Sequence, residues 1–306
     1  MYTETAPATL PNCGNTGAVL PGSLGPERVR YFTTDTYKFS LLNQVTFNAV
    51  GNFAESVYQL NLTKFLELLD KFNPTVYNGI RAYFACYPDE PNAEERPYVP
   101  AGMEGQLTLL FVPTFDDPNA IQSGKDDDHQ FWHLGSGSIG KLTPLPRPGT
   151  VSQQEDIVTR WISHYQQNRM YHLEQDGKTA TGSQDFRETR SHWYSMKTIA
   201  GDGAKDKGLL FYINCARQPG DNPVIELYIQ WAAFLATEQA PDKYPKYQLS
   251  IIFYLRQQKD PPPNKHNMFP VVNPIVFGSL ISASADTGLP CPPLNYCPPG
   301  GFLAEL

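Results

Sequence analysis

The chain has 306 residues, a formal net charge of −7 and charged residues at only 18% of its positions. Because no run of Lys and Arg provides a basic surface for a polyanion, we expect no nucleic-acid partner. No apolar run approaches the roughly 20 residues of a membrane-spanning helix, and the N-terminus lacks a secretory signal. We therefore expect no transmembrane segment, and either a cytoplasmic protein or one released by a non-classical route.

The aromatic content is high for so weakly charged a chain, with 17 Tyr, 17 Phe and 4 Trp. Aromatic residues are enriched at the centres of protein–protein interfaces, from which Lys and Glu are depleted. A loop-rich globular protein explains the same composition equally well. The composition alone leaves both interpretations open.

Residues 1–30 are rich in Pro, Gly and Thr and show no apolar period, which predicts an extended N-terminal arm. Such an arm gains stability only by burying apolar side chains on another surface. The candidate interface residues of this arm are Val19, Leu20 and Leu24.

The segment after the arm predicts a helix packed against a sheet. Gln44–Val50 alternates polar and apolar residues as a half-buried strand does. Apolar residues at helical spacing predict a helix over residues 62–72, with Asn61 as its N-cap. Two apolar runs, residues 79–87 and 106–115, are typical of strands. The second run is apolar on both faces, so we expect it to be covered on both sides.

A repeat organises the chain around the first of these strands. Gly79–Cys86 and Gly208–Cys215 carry glycine, tyrosine and cysteine at matching positions. Each copy runs into a polar turn and then into a second apolar run. We therefore expect two related helix–strand–strand units.

The segment between the units, residues 119–150, is rich in Gly, Ser and Pro and predicts a linker loop. His129 and His133 stand four apart, which is the spacing of two metal ligands on a helix, and Asp126–Asp128 lies just upstream. Because the neighbouring glycines disfavour a helix, a solvated acidic loop is the preferred interpretation. Trp132 in this segment is a further interface candidate, since we expect it to be exposed.

The second unit begins with Ser152–Glu155, whose pattern is a capping box that starts a helix through Tyr165. A polar loop is expected over residues 176–185. Helical spacing continues over 186–199, although Trp193–Tyr194 is also compatible with the start of a short strand. Three strands are predicted after it, over residues 208–216, 224–234 and 247–256.

The proline density after Asp260 predicts an extended C-terminal extension, with one possible strand over Val271–Ile281. Cys291 and Cys297 either remain free thiols or close a short disulfide. Two thiols alone are too few for a structural zinc site. The candidate interface residues of the tail are Leu289, Leu294, Tyr296 and Phe302.

No motif of good specificity for catalysis or cofactor binding is present, so we predict no catalytic residue, no cofactor and no metal. Cys215 with His164 or His192 offers the elements of a thiolate and its base. Its twin Cys86 occupies the same position of the repeat, and this favours a packing role for both cysteines.

Residues 155–301 resemble a group of uncharacterised proteins from Bacteroidetes genomes. The resemblance is carried by Trp161 and Tyr165, by Gly208–Tyr212, by Ile225–Ile229 and by Cys291-Pro292-Pro293. The spacing from that element to Cys297 departs from the pattern of the group. The resemblance supports the boundaries of the second unit and a bacterial source, and it implies no chemistry.

Together these features predict an α+β fold built from two related units with mainly antiparallel sheets. For function we favour a self-assembling structural subunit of a homo-oligomeric tube, shell, sheet or filament, whose partner is a copy of itself. The alternative is an enzyme, hydrolase-like, or a module for a small ligand or carbohydrate, with its site between the units. The predicted organisation is an arm (1–30), a first unit (31–118), the linker (119–150), a second unit (151–258) and the proline-rich extension (259–306).

Overall fold

The computed structural model describes residues 57–60, 62–73, 75–116, 125–127, 131–134, 142–144, 156–196, 199, 210, 225–233, 248–257, 275–278 and 289–291. Several predicted features fall outside these ranges, three of them large. These three are the N-terminal arm, the strand at Gln44–Val50 and, apart from Leu210, the second copy of the repeat at Gly208–Cys215. The repeat therefore stays a prediction.

The described elements mix helices with antiparallel strands, which confirms the α+β character of the chain. The helix predicted over 62–72 is present, and the strands predicted near 79, 106, 224 and 247 are present with ends shifted by one or two residues. In chain order the elements are β1 (Val57–Leu60), α1 (Leu62–Lys71), β2 (Gly79–Cys86), β3 (Leu107–Phe115), β4 (Lys125–Asp126), β5 (Trp132–Leu134), β6 (Leu142–Pro144), α2 (Ile157–Tyr165), a π-helical turn (Gln166–Met170), α3 (Tyr171–Thr181), β7 (Ser191–Ser195), β8 (Ile225–Ala233), β9 (Leu249–Gln257), β10 (Ile275–Gly278) and β11 (Leu289–Cys291).

These strands form two sheets, and every described strand pair is antiparallel. The seven-stranded sheet has the order β11-β7-β2-β3-β5-β6, with β4 paired to the end of β3. The four-stranded sheet has the order β1-β8-β9-β10. Each sheet takes strands from both predicted units, because β7 pairs with β2 and β1 pairs with β8.

The core of the seven-stranded sheet lies around β2 and β3. Every residue of β2 is buried, as are the residues of β3 up to Thr114, which confirms that β3 is covered on both sides. Helix α2 packs onto one face of these strands. Its apolar stripe recurs at helical spacing, and Trp161 from that stripe lies fully buried against Tyr83, Tyr87 and Leu110 in one cluster.

The start of α2 differs from the prediction. Asp156 is the N-cap, and its Oδ1 accepts a hydrogen bond of 2.8 Å from the backbone N–H of Thr159. A short carboxylate side chain satisfies the free N–H groups of the first turn as well as a serine does. The predicted capping box at Ser152–Glu155 lies outside the described residues.

Two predictions between residues 176 and 199 were wrong. The polar loop predicted over 176–185 begins later, because α3 continues to Thr181 and ends at Gly182 with a left-handed φ of 69°. Of the span 186–199 in which helical spacing predicts a helix, residues 191–195 form β7, so the alternative of a short strand is the observed one there, whereas Met196 and Ile199 are helical. Pairing with β2 along five positions overrides the helical spacing of Phe186, Thr189 and Trp193.

The predicted linker contributes to the sheet. β4, β5 and β6 all lie within residues 119–150, with β4 and β5 pairing with β3 and β6 pairing with β5. Among the helices in the described ranges, none has the length and apolar character needed to cross a membrane.

Candidate functional site

The acidic run of the predicted linker is anchored inside the protein. Arg81 on β2 donates from Nε to Oδ1 of Asp126 at 2.7 Å, and the hydroxyl of Tyr83 donates to Oδ2. Burial works to lower the pKa of Arg81, but the charge of Asp126 beside it raises that pKa above its ordinary value. The neighbouring Asp127 accepts from the hydroxyl of Tyr77 at 2.8 Å.

The expectation of a solvated acidic loop is therefore wrong for Asp126 and Asp127, which are only 4% and 7% exposed. Hydrogen bonds from Arg81, Tyr83 and Tyr77 make this burial possible, since a buried carboxylate needs a charged or hydrogen-bonding partner. We name the contact of Asp126 with Arg81 and Tyr83 the β4 anchor.

His133, the predicted metal ligand that the structure describes, lies in an aromatic setting. Its ring is edge-on to those of Tyr87, Tyr98 and Trp161, with centroids 6.5, 5.9 and 5.6 Å away. His133 lies in the strand 132–134 and not on a helix. His129 itself lies outside the described residues. Within those residues no group of three His, Cys, Asp or Glu side chains could hold a metal ion.

Glu95 fixes the loop between β2 and β3 to α2. Its Oε1 accepts from Nε of Arg160 at 3.0 Å and from Nε1 of Trp161 at 3.2 Å. Its Oε2 accepts from the backbone N–H of Asn92 at 3.1 Å. Trp161 itself is fully buried. Nothing in the sequence pattern singled out Glu95, whose role depends on residues about 65 positions away.

Trp132 is half-buried, so the expectation of an exposed indole holds only in part. The ammonium of Lys71 at the end of α1 lies 4.6 Å from the centroid of its ring. This geometry is a cation–π contact, which is worth about 0.5–1 kcal/mol at an accessible site. It connects the predicted linker to α1.

Cys86 ends β2 and is fully buried, which confirms its predicted packing role. Burial raises the pKa of its thiol to about 12, although Arg169 next to it acts in the opposite direction. A thiol with this pKa stays protonated at neutral pH and is a poor nucleophile. Its repeat partner Cys215 lies outside the described residues.

His164 and His192, the two candidate bases for Cys215, both lie against backbone carbonyl groups. Nδ1 of His164 is 3.0 Å from the carbonyl oxygen of Tyr87, and Nε2 of His192 is 3.2 Å from that of Leu249. The other ring nitrogen of His164, Nε2, lies 3.5 Å from Oδ2 of Asp89. These contacts position segments of the fold against one another.

Another buried carboxylate, that of Glu188, joins the two sheets. Oε1 of Glu188, just before β7, accepts from the backbone N–H of Leu249 at 2.6 Å and from that of Thr189 at 2.9 Å. Nε2 of Gln248 donates to the carbonyl of Arg187 at 2.6 Å. These bonds hold the start of β9 against the segment that leads into β7. Sequence patterns do not reveal such a junction, because its partners are 61 residues apart.

The remaining site is the outer edge of β7, where the tail of the chain is seated. β11 pairs antiparallel with β7 in the register Leu289↔Trp193, Pro290↔His192 and Cys291↔Ser191. All five residues of β7 are buried. We name this seat the β7 edge. Leu289, a predicted interface residue, thus lies in a strand that pairs with its own chain.

Apart from Leu289 and Trp132, the predicted interface residues lie outside the described part of the chain. They are Val19, Leu20 and Leu24 of the N-terminal arm and Leu294, Tyr296 and Phe302 of the tail. Cys297 also lies outside it, so its predicted disulfide with Cys291 stays a prediction.

Comparison with known proteins finds no relative of this chain. No family model, no curated protein and no solved structure matches the chain. The resemblance to Bacteroidetes proteins therefore remains a prediction, and the functional argument depends on the residues themselves.

Proposed function

We propose that the chain is a self-assembling structural subunit of a homo-oligomer, in which terminal segments contact neighbouring copies. The observation that supports this proposal is the β7 edge. A tail segment rich in proline adds a strand to the margin of a sheet, and adding an extended segment to a sheet edge is a common mode of association between chains.

Composition supports the same proposal. The chain combines low charge with many aromatic residues, and both are features of surfaces that associate. Proline-rich terminal segments cannot build a core of their own, and ordering them costs on the order of 1 kcal/mol per residue in backbone entropy. Contacts with neighbouring copies offset that cost.

Light scattering of the purified full-length chain tests the proposal. We expect a mass well above that of one chain at micromolar concentration. Deletion of residues 1–28 or of 286–306 should leave the circular dichroism spectrum nearly unchanged but weaken or abolish assembly. A chain of similar length with glycine–serine sequence in place of 1–28 controls for the loss of mass alone.

A monomer that salt and concentration leave unchanged would contradict the proposal. It would favour the alternative, an enzyme or ligand-binding module with a site under residues 116–150. Unfolding of both truncated chains, together with a monomeric full-length chain, would identify the terminal segments as clamps within one subunit.

A further inference from the structure

We propose that β11 is exchanged between copies, so that residues 289–291 of one subunit seat on the β7 edge of a second copy. This inference rests on the proposed function and names the contact through which it acts. The partner is a second copy of this chain, and the surface that receives it is the outer edge of Ser191–Ser195.

The observed pairing shows that β11 occupies the β7 edge. β7 pairs with β2 on its inner side and with β11 on its outer side. A strand edge exposes unpaired N–H and C=O groups, so the β7 edge needs an occupant. Backbone pairing identifies that occupant as residues 289–291, but hydrogen bonds between main chains are the same whichever copy supplies the strand.

The connection to β11 suits an exchange. β10 belongs to the four-stranded sheet and β11 to the seven-stranded sheet, so the chain changes sheets over residues 279–288. That connection reads SLISASADTG, with mostly small residues. Fully extended, ten residues reach roughly 33 Å, which lets the same strand seat on a neighbour. Exchange of an identical element between copies is a low-cost route to association.

Pro290 limits further strand pairing at the outer side of β11. It occupies the middle of β11, opposite His192, and β11 is the last strand in the described order of that sheet. A proline has no N–H to donate to a further strand and is therefore tolerated in edge strands. Pro290 thus disfavours the addition of another strand beyond β11.

A disulfide across the β7 edge reports which copy supplies the strand. Cys291 lies opposite Ser191, and directly opposed residues of antiparallel strands have Cβ atoms about 4.5–5.5 Å apart, close to the spacing that a disulfide requires. Oγ of Ser191 is buried and, among the described residues, has no hydrogen-bond partner. Ser191→Cys therefore removes no bond, and it changes little volume.

The decisive experiment uses two co-expressed chains with different tags, both carrying Cys13→Ser and Cys297→Ser. The first chain also carries Ser191→Cys and Cys291→Ser, so it has a receiving thiol and no donating one. The second keeps Ser191 and Cys291. After oxidation with oxidised glutathione we expect a disulfide-linked pair on a non-reducing gel, and mass spectrometry should identify the peptide link from 191 to 291.

Two controls test whether the disulfide is specific and whether the strand register is correct. The first chain expressed alone should give no such pair, which excludes bonds through Cys86 or Cys215. A single chain with both Ser191→Cys and Cys291 should link within or between copies, which tests the register itself.

Links that form only within single chains would overturn the exchange. If the full-length protein nevertheless assembles by light scattering, the proposed function stands and the exchange alone is wrong. If it is a monomer, both are wrong. Absence of any link in the single chain with both cysteines would overturn the pairing of β11 with β7, and with it the exchange.

Discussion

β4 and β11 are both very short strands that join the seven-stranded sheet, but they are attached in different ways. β4 pairs with the end of β3 at two positions and is also fixed by side chains, because Asp126 receives the guanidinium of Arg81 and the hydroxyl of Tyr83. β11 is attached by main-chain pairing at three positions. A side-chain anchor requires one particular partner residue, whereas main-chain pairing accepts an equivalent strand from any copy. The exchange proposed above therefore concerns β11, whose main-chain pairing with β7 a second copy could supply.

The side-chain anchor and the main-chain hydrogen bonds also contribute different free energies. Removing one partner of a buried ion pair leaves an uncompensated charge and costs about 3–5 kcal/mol. A few main-chain hydrogen bonds contribute a net stabilisation of about 1 kcal/mol each. Detaching β4 therefore costs the ion pair of Asp126 with Arg81 in addition to the main-chain bonds of β4.

The largest effect is expected from Asp126→Ala, which breaks the β4 anchor. Arg81 is 2% exposed, so its charge would lose its buried carboxylate, and we expect a loss of about 3–5 kcal/mol in the free energy of unfolding. Urea denaturation of the variant, followed by circular dichroism, measures this loss.

A double variant distinguishes the charge from the packing in this anchor. Arg81→Met with Asp126→Leu replaces the pair by apolar side chains, and such replacements are often neutral or stabilising. We expect it to regain most of the stability that Asp126→Ala loses. A loss below about 1 kcal/mol for Asp126→Ala alone would show that the anchor does not hold β4.

The two attachments also differ in how far the sequence predicts them. The amphipathic helix α1 and the apolar strands β2, β3, β8 and β9 follow from local periodicity, which the sequence displays directly. The anchor does not, because an Asp-rich run has the same composition whether it is solvated or paired with an arginine 45 residues earlier. Likewise, no local pattern states that a tail strand pairs with residues about 100 positions before it.

The failure at β7 has a similar physical cause. Phe186, Thr189 and Trp193 do recur at helical spacing, but each has a separate tertiary partner. A Cβ placed on Gly177 would lie 2.1 Å from the ring of Phe186, so that ring packs directly on α3. The indole N–H of Trp193 donates to Oγ1 of Thr114 on β3 at 2.8 Å. Contacts distant in sequence thus outweigh the local spacing.

A smaller effect is expected from Gly79→Ala, which disturbs the side of the sheet that receives β11. A Cβ at this position would lie 2.5 Å from Nε1 of Trp193 and 2.6 Å from the carbonyl oxygen of Tyr194. β7 would have to move away from β2, and overpacking of this kind costs about 1–3 kcal/mol. Denaturation measures the loss, and the 191–291 disulfide should form more slowly because its register is displaced.

Gly102→Ala is the matched control for this variant. Gly102 has open space around its Cβ position but a left-handed φ of 79°, so alanine there costs only backbone strain, about 1–2 kcal/mol. We expect it to leave the rate of disulfide formation unchanged. Equal slowing in both variants would assign the effect to general destabilisation and not to β7.

The smallest effect concerns Cys86, at the end of the central strand β2, in comparison with Cys291 in β11. Because burial raises the pKa of Cys86 to about 12, the folded state keeps this proton while the unfolded thiol, with an ordinary pKa near 9, loses it. The unfolded state therefore binds fewer protons above pH 9, and stability falls as pH rises through this range. At pH 10 the loss is about 1 kcal/mol, since each pKa unit corresponds to about 1.4 kcal/mol.

Denaturation at pH 8.5 and pH 10 in the wild-type chain and in Cys86→Ala tests this expectation. The variant should lose about 1 kcal/mol less over that interval, whatever its stability at pH 8.5. Tyr87 and Tyr165 also have pKa values raised by burial, but both tyrosines are present in the two chains, so their contribution cancels in the difference between them. At pH 8 a maleimide should label Cys291 in free tails, and it should leave Cys86 unlabelled until the protein unfolds. Rapid labelling of Cys86 in the folded protein would show that the central strand opens as readily as the tail, and the contrast between the fixed and the exchangeable attachment would then be lost.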